Sequence, residues 1–268
     1  MRRFKPVDIL ILMAFFLAVA LMGCGSETTP FKKNNIADDE PVPGTTNTVT
    51  PLSQAERLSA DTYAGHTGVQ VAHADNGDML AVWSTTNALE RKLLYSLYNS
   101  STAQWSAEQP VGTGTYMYSL TTNGTEFLLV FPDFIFASDT YEYGIYEMRF
   151  NGSEWSPKTM ACLSCSTYNV VRAVSNGTSY AFTFDGRVDG TQGLHAVIYN
   201  GTGWNTPDNL QSYGGSATSP IITSNGTGYA VLWSQYDTSS YSSPTSLTVN
   251  IYNGTGWEGQ YAVESSST

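Results

Sequence analysis

Positive charge, histidine and cysteine are all scarce in this chain. Lys and Arg together number 12 against 23 Asp and Glu, which leaves a formal charge of -11 at pH 7. A body this acidic repels phosphate backbones and anionic lipid headgroups, so nucleic acid is excluded as an expected partner. The 3 histidines are His66, His73 and His195, with no pairing at metal-ligand or triad spacing. Of the 3 cysteines, Cys162 and Cys165 form a Cys-x-x-Cys. No second such pair completes a zinc site, and no His follows Cys165 as haem attachment requires. Helix signals are absent after residue 54, and the one long apolar run is Ile9 to Met22. This inventory nominates no catalytic residue, no metal and no cofactor.

What is present is a phrase written four times. A short strand leads to an Asn-Gly turn, then an apolar strand, a variable segment, a third strand ending in Tyr or Phe, and a Trp. The first turns centre on Gly77, Gly124, Gly177 and Gly226, and the closing tryptophans are Trp105, Trp155, Trp204 and Trp257. Both anchors recur at roughly fifty residues, a spacing typical of propeller blades. Three more Asn-Gly pairs, at Asn151, Asn200 and Asn253, fall between third and fourth strands. Asn-Gly is the strongest short-range hairpin signal, and a type I′ turn with positive φ at both residues is expected at each.

The second strands, Met79 to Trp83, Phe127 to Phe131, Tyr180 to Phe184 and Tyr229 to Trp233, are nearly continuous apolar runs, as expected of strands buried on both faces. Third strands alternate: Leu247, Val249 and Ile251 share one side, and Leu194, Ala196 and Ile198 another. The second copy departs from this at Glu147 and Arg149. The fold class is therefore all-β, a propeller-like array of four four-stranded antiparallel blades, either a small closed ring or an open arc. The repeats are expected at about 56–111, 112–160, 161–210 and 211–268.

Tyr199-Asn-Gly-Thr-Gly-Trp204 and Tyr252-Asn-Gly-Thr-Gly-Trp257 resemble a degenerate Asp-box of sialidase-type propellers. The Asp-box reads Ser/Thr-x-Asp-x-Gly-x-Thr-Trp, and its Asp is missing from every copy here. The resemblance implies the blade fold without implying sialidase activity.

Arg2, Arg3 and Lys5 precede the apolar run, which is short for a bilayer span and suited to a signal-peptide core. It ends at Leu21-Met22-Gly23-Cys24, which resembles the lipobox of bacterial lipoproteins. The resemblance implies removal of residues 1–23, acylation of Cys24, and a membrane anchor of two or three acyl chains, since a single chain binds only marginally. Gly25 after the cysteine implies the outer membrane, facing the periplasm or the cell surface, where the source has one. Residues 24–55 are poor in large apolar side chains and read as a flexible tether, which leaves 56–268 as the propeller body.

With the Asn-Gly turns on one rim, the variable loops between second and third strands gather on the other. They carry Asp133, Asp139, Tyr141, Tyr143, Asp185, Arg187, Asp189, Tyr236, Asp237 and Tyr241 as candidate ligand-binding residues. Tyrosines with carboxylates suit a glycan or a protein surface. Cys162 and Cys165, outside the cytoplasm, read as a small-loop disulfide. The expected function is a non-catalytic binding module for protein or glycan. The alternatives are a sialidase-like glycoside hydrolase and a structural subunit of a cell-envelope complex.

Overall fold

The computed structural model describes residues 58, 65–86, 91–113, 115, 117–137, 140–167, 169, 171–211, 215–237 and 246–265. Every described element is a strand. The first sheet contains β1 (Gly65–His73), β2 (Met79–Thr86), β3 (Arg91–Asn99), β4 (Gln104–Trp105) and β5 (Gln109–Pro110), with β4 and β5 both pairing β3 as its fourth strand. The second runs β6 (Ser119–Thr122), β7 (Phe127–Ala137), β8 (Thr140–Phe150) and β9 (Thr159–Leu163). In the third, β10 (Cys165–Ser166) and β11 (Arg172–Ser175) share the first position, followed by β12 (Tyr180–Val188), β13 (Thr191–Ile198) and β14 (Asp208–Asn209). The fourth is β15 (Gly215–Ser224), β16 (Tyr229–Asp237), β17 (Ser246–Tyr252) and β18 (Tyr261–Ser265). The pairings are antiparallel throughout. All four sheets lie in one compact unit, Arg57–Thr268.

The Asn-Gly turns work differently from the type I′ expectation. Each glycine has positive φ, for example +97° at Gly124 and +96° at Gly201, but none of the asparagines does. In six of them, Asn123, Asn151, Asn176, Asn200, Asn225 and Asn253, the side-chain Oδ1 instead accepts the backbone N–H of the second and third residues on, together with the hydroxyl of the second, a Ser or Thr. The Ser/Thr that makes these segments look like glycosylation sequons is thus a component of the turn. Across the turn that follows each third strand, the aromatic at its end meets its Trp. The pairs are Tyr98 with Trp105, Phe150 with Trp155, Tyr199 with Trp204 and Tyr252 with Trp257, at ring separations of 5.2–5.4 Å.

The sheets stack as an open arc, with the first strands neighbouring in the order β1, β6, β11, β15. Because side chains alternate across a strand, each sheet has two distinct faces. One face is aromatic-rich and packs on the preceding blade. Leu129, Phe131, Tyr146 and Phe150 pack on Leu80, Val82 and Leu93, Tyr180, Phe182 and Phe184 on Leu128, Val130 and Ile145, and Val231 and Trp233 on Leu194 and Ala196. Full burial of such a side chain contributes roughly 1.5–3 kcal/mol, so the three inter-blade layers hold the arc together.

Glu147 and Arg149 keep the alternation rather than breaking it. Both stand in register with Ile145 on the face turned to the third blade. There Arg149 donates to Glu147 at 3.1 Å and to Glu126 at 2.8 Å, and its guanidinium lies over the rings of Tyr199 at 4.4 Å and Tyr180 at 5.3 Å. A charged cluster therefore occupies the position that other blades fill with aliphatic side chains.

Candidate functional site

In the second and third blades the rim opposite the Asn-Gly turns is built from strands, not from the irregular loops expected, and the corresponding connections of the first and fourth blades include residues 87–90 and 238–245, outside the described residues. β7 and β8 pair continuously from Phe127↔Phe150 to Ala137↔Thr140, and β12 and β13 from Ala181↔Ile198 to Val188↔Thr191. The second of these hairpins turns at Asp189-Gly190, where φ is +48° and +80°. Positive φ at both central residues is the type I′ signature. Asp189 is thus a turn residue, and its N–H donates to the Ser164 carbonyl at 3.2 Å.

Inward from that turn the chemistry changes. Asp185 lies opposite Leu194, and Arg187 opposite Gln192, on the sheet face that lower down packs on the fourth blade through Leu194 and Ala196. Each Asp185 carboxylate oxygen accepts one amide N–H, from Gln192 at 3.0 Å and from Asn169 at 3.2 Å, while Thr167 donates its hydroxyl to the Asp185 carbonyl at 2.6 Å. Burial pushes the Asp185 carboxyl above its ordinary value, and the two amides pull it only part of the way back. A carboxyl raised on folding loses stability as pH rises through its folded value. The ionised Asp185 is thus held at a cost to the fold. Arg187 is exposed, and its side chain has no hydrogen bond or ion pair among the described residues. Nor does any such contact join Asp185 to Arg172 or Arg187.

The neighbouring β7–β8 hairpin offers aromatic surface. Phe134 and Tyr143 are cross-strand partners with rings 6.0 Å apart, on the face turned toward the third blade, and they are 52% and 56% exposed. Asp133, one residue along and on the opposite face, is engaged internally: it accepts from Lys158 at 2.6 Å and from the Phe134 N–H at 2.8 Å. Residues grouped by their closeness in sequence are thus separated by the alternation of the strand.

The two hairpins are linked beside the β12–β13 turn. Cys162 at the end of β9 and Cys165 at the start of β10 are joined by a disulfide, and β10 pairs β12 at Cys165↔Val188 and Ser166↔Arg187. The Ser166 carbonyl presses so closely on Gly186 that an added Cβ would overlap it, so only glycine fits between Asp185 and Arg187. Tyr236 is half-buried on β16, well apart in sequence, with its carbonyl accepting from Gln235 at 3.0 Å. Tyr141 and Asp237 lie within β8 and β16, but their side chains are outside the described residues, as are Asp139, Tyr241 and Cys24 altogether. Among the described residues no group of three or more His, Cys, Asp or Glu is placed to hold a metal ion.

One of the three histidines, which the sequence gives no partner at metal-ligand or triad spacing, lies beneath the rim. His195 is 3% exposed, stacked on Phe184 at 5.3 Å, and neither ring nitrogen has a well-formed hydrogen bond among the described residues. Burial holds it below its ordinary value of 6.5, with the nearby Thr191 backbone opposing. The neutral ring is therefore favoured by folding. Its contribution is complete above pH 6.5 and is lost as pH falls toward the folded value. Urea midpoints measured from pH 7.5 to 5 should fall more steeply for the wild type than for His195→Phe; parallel slopes would refute this account.

No family model matches the chain, and a search of curated proteins returns no match. Solved structures do match in shape. The polysaccharide lyase Uly1 covers 75% of this chain and 49% of its own, at 8% identity and a TM-score of 0.48. A subtype N10 neuraminidase-like protein of A/little yellow-shouldered bat/Guatemala/060/2010 covers 73% and 57%, at 9% identity and 0.46. A neuraminidase-like protein from A/bat/Guatemala/164/2009 covers 71% and 52%, at 9% identity and 0.43. This chain spans about half the length of these structures.

Proposed function

We propose that the chain is an exported lipoprotein, acylated at Cys24, whose blades bind a glycan through the β7–β8 and β12–β13 hairpins without acting on it chemically. Two separate surfaces on neighbouring hairpins support this, each turned toward a different gap between blades. One is Asp185 fixed between two amides with an unpaired Arg187 beside it, and the other is the exposed Phe134–Tyr143 pair. Sugar hydroxyls both donate and accept hydrogen bonds, so they suit a mixed array of carboxylate, amide and guanidinium. The C–H face of a sugar ring suits an aromatic plane, and a few fixed polar groups beside apolar surface are the usual make-up of a ligand site.

Screening the Arg57–Thr268 body on a glycan array, then titrating the hits by calorimetry, tests the reading. Binding should weaken tenfold or more in Tyr143→Ala and in Asp185→Ala, the loss of about 1.4 kcal/mol or more in each case. A blank array, or turnover of a bound glycoside, would reject it. The anchor is checked separately: fatty-acid labelling of the full chain in a bacterial host should disappear in Cys24→Ser, and labelling that persists would refute acylation at that residue.

A further inference from the structure

The Cys162–Cys165 disulfide lies where the chain crosses from the second blade to the third. Both cysteines are buried in the layer between those blades, while Leu163 and Ser164 between them are exposed. Ser164 has a φ of +56°, a left-handed conformation that is unfavourable for any residue with a side chain. Such a conformation persists only where the surroundings impose it. Here a four-residue loop closed by a covalent bond does so.

The residues that follow this loop support the rim of the third blade. β10 pairs β12 at Cys165↔Val188 and Ser166↔Arg187, whereas β11 reaches no farther along β12 than Thr183. At Arg187 and Val188 the sheet is therefore β10, β12 and β13, and without β10 it is a two-stranded ribbon, which is marginal in water. The same segment holds Asp185 and its surroundings by side contacts. The Ser164 carbonyl accepts from the Asp189 N–H at 3.2 Å, the Thr167 hydroxyl donates to the Asp185 carbonyl at 2.6 Å, and Asn169 Nδ2 donates to the Asp185 carboxylate at 3.2 Å. The Ser166 carbonyl abuts Gly186. Among the described residues, Gln192 alone holds the carboxylate from the other strand.

We propose that the Cys162–Cys165 disulfide is a redox latch on the Asp185–Arg187 surface, opened by a dithiol reductant. One thiolate of the dithiol attacks a sulfur of the pair and breaks the S–S bond, giving a mixed disulfide and one free thiol. The second thiol of the reductant then displaces the remaining cysteine. The reductant leaves as a cyclic disulfide, oxidised by two electrons, and its two protons end on Cys162 and Cys165. With the loop open, Ser164 relaxes to negative φ and β10 releases β12. Asp185 then loses Asn169 and Thr167 while keeping Gln192, and the rim half of the β12–β13 hairpin opens locally without unfolding the layers beneath it.

Dithiothreitol treatment of the Arg57–Thr268 body under native conditions tests the latch. That unit contains all four sheets, and Cys162 and Cys165 are its only cysteines. Thiol titration should find both of them free, and amide hydrogen exchange should rise roughly tenfold or more in peptides covering Ser164–Asn169 and Asp185–Asp189, where a ladder and its side contacts no longer oppose opening. Peptides covering Phe127–Phe131 and Tyr229–Trp233 should keep their protection. Cys162→Ser with Cys165→Ser should show the raised exchange without reductant, and a cooperative melt shows that it folds. Ser164→Gly should cut the rise by about fivefold, because glycine keeps positive φ without strain and the opened loop gains nothing by relaxing. Thiols that appear only on global unfolding, exchange that rises evenly through the second and third blades or not at all, or an unaltered response in Ser164→Gly would overturn the inference. The consequence for binding rests on the glycan reading: a glycan captured on the array should bind the reduced protein roughly tenfold more weakly. Exchange is measured without ligand, so a blank array rejects the glycan reading alone, and flat exchange rejects the latch alone.

Discussion

Truncating Phe182 to alanine should lower the unfolding free energy by about 3–5 kcal/mol, the range for removing a buried aromatic ring and leaving its cavity behind. Phe182 is fully buried and sits at the centre of the layer between second and third blades. Its ring meets Trp204 edge-on at 4.9 Å and Phe184 at 6.2 Å, and the cluster it belongs to includes Leu128, Val130 and Ile145 from the blade before. Neither side can collapse into the gap, because each is a hydrogen-bonded sheet whose spacing is set by its own ladder. Domains are stable by only about 5–15 kcal/mol, so this one change should remove a large share of the total. Urea denaturation followed by tryptophan fluorescence reads the loss as a lowered midpoint. A drop below about 1 kcal/mol would mean that the blades are held together elsewhere.

That layer was largely legible in the sequence. The run Tyr180 to Phe184 is interrupted only by the small Thr183, so burial on both sides followed from composition, and the spacing of glycine and tryptophan fixed the number of sheets. The rim was harder. The segment from Pro132 to Gly144 contains Pro, Asp and Gly, which signal loops, yet Phe134 and Tyr143 pair across a regular ladder. The same residues that punctuate chains elsewhere here lie within the strands. Parity then decided the site. Asp133 and Phe134 are adjacent in sequence but face opposite sides of the sheet, whereas Asp185 and Arg187 share a face. Membership of the variable segments put Asp133, Asp185 and Arg187 in one candidate list regardless of face, and left Phe134 out of it. Likewise the contribution of the asparagine turns through side-chain Oδ1 rather than through backbone φ could not be read from the Asn-Gly dipeptide, since both devices call for the same two residues.

Glu147 and Arg149 were legible as an exception and opaque as to its meaning, and they support the second large effect. Removing Arg149 leaves Glu147, with its side chain 12% exposed, without its main partner, and Glu126 without its closest one at 2.8 Å. Burial alone would lower the Arg149 pKa, but Glu147 and Glu126 together more than offset it and hold it above its ordinary value. Stripping one member from a buried ion pair costs roughly 3–5 kcal/mol. With the guanidinium 21% exposed, solvent screening reduces that to about 2–3 kcal/mol for Arg149→Ala. Arg149→Met with Glu147→Leu should recover most of the loss, because matched apolar groups often replace a buried pair without penalty. The position is already surrounded by what they need. Tyr180 and Tyr199, which now lie under the guanidinium, would pack on the new methionine, and the new leucine side chain would continue the column begun by Ile145. A double-mutant cycle measured by chemical denaturation separates the two outcomes. Recovery identifies the cluster as a specific but replaceable junction between blades. If the double variant is as unstable as Arg149→Ala, then Glu126, still facing Tyr180 through its 3.2 Å hydrogen bond, is the group whose charge the arginine exists to balance.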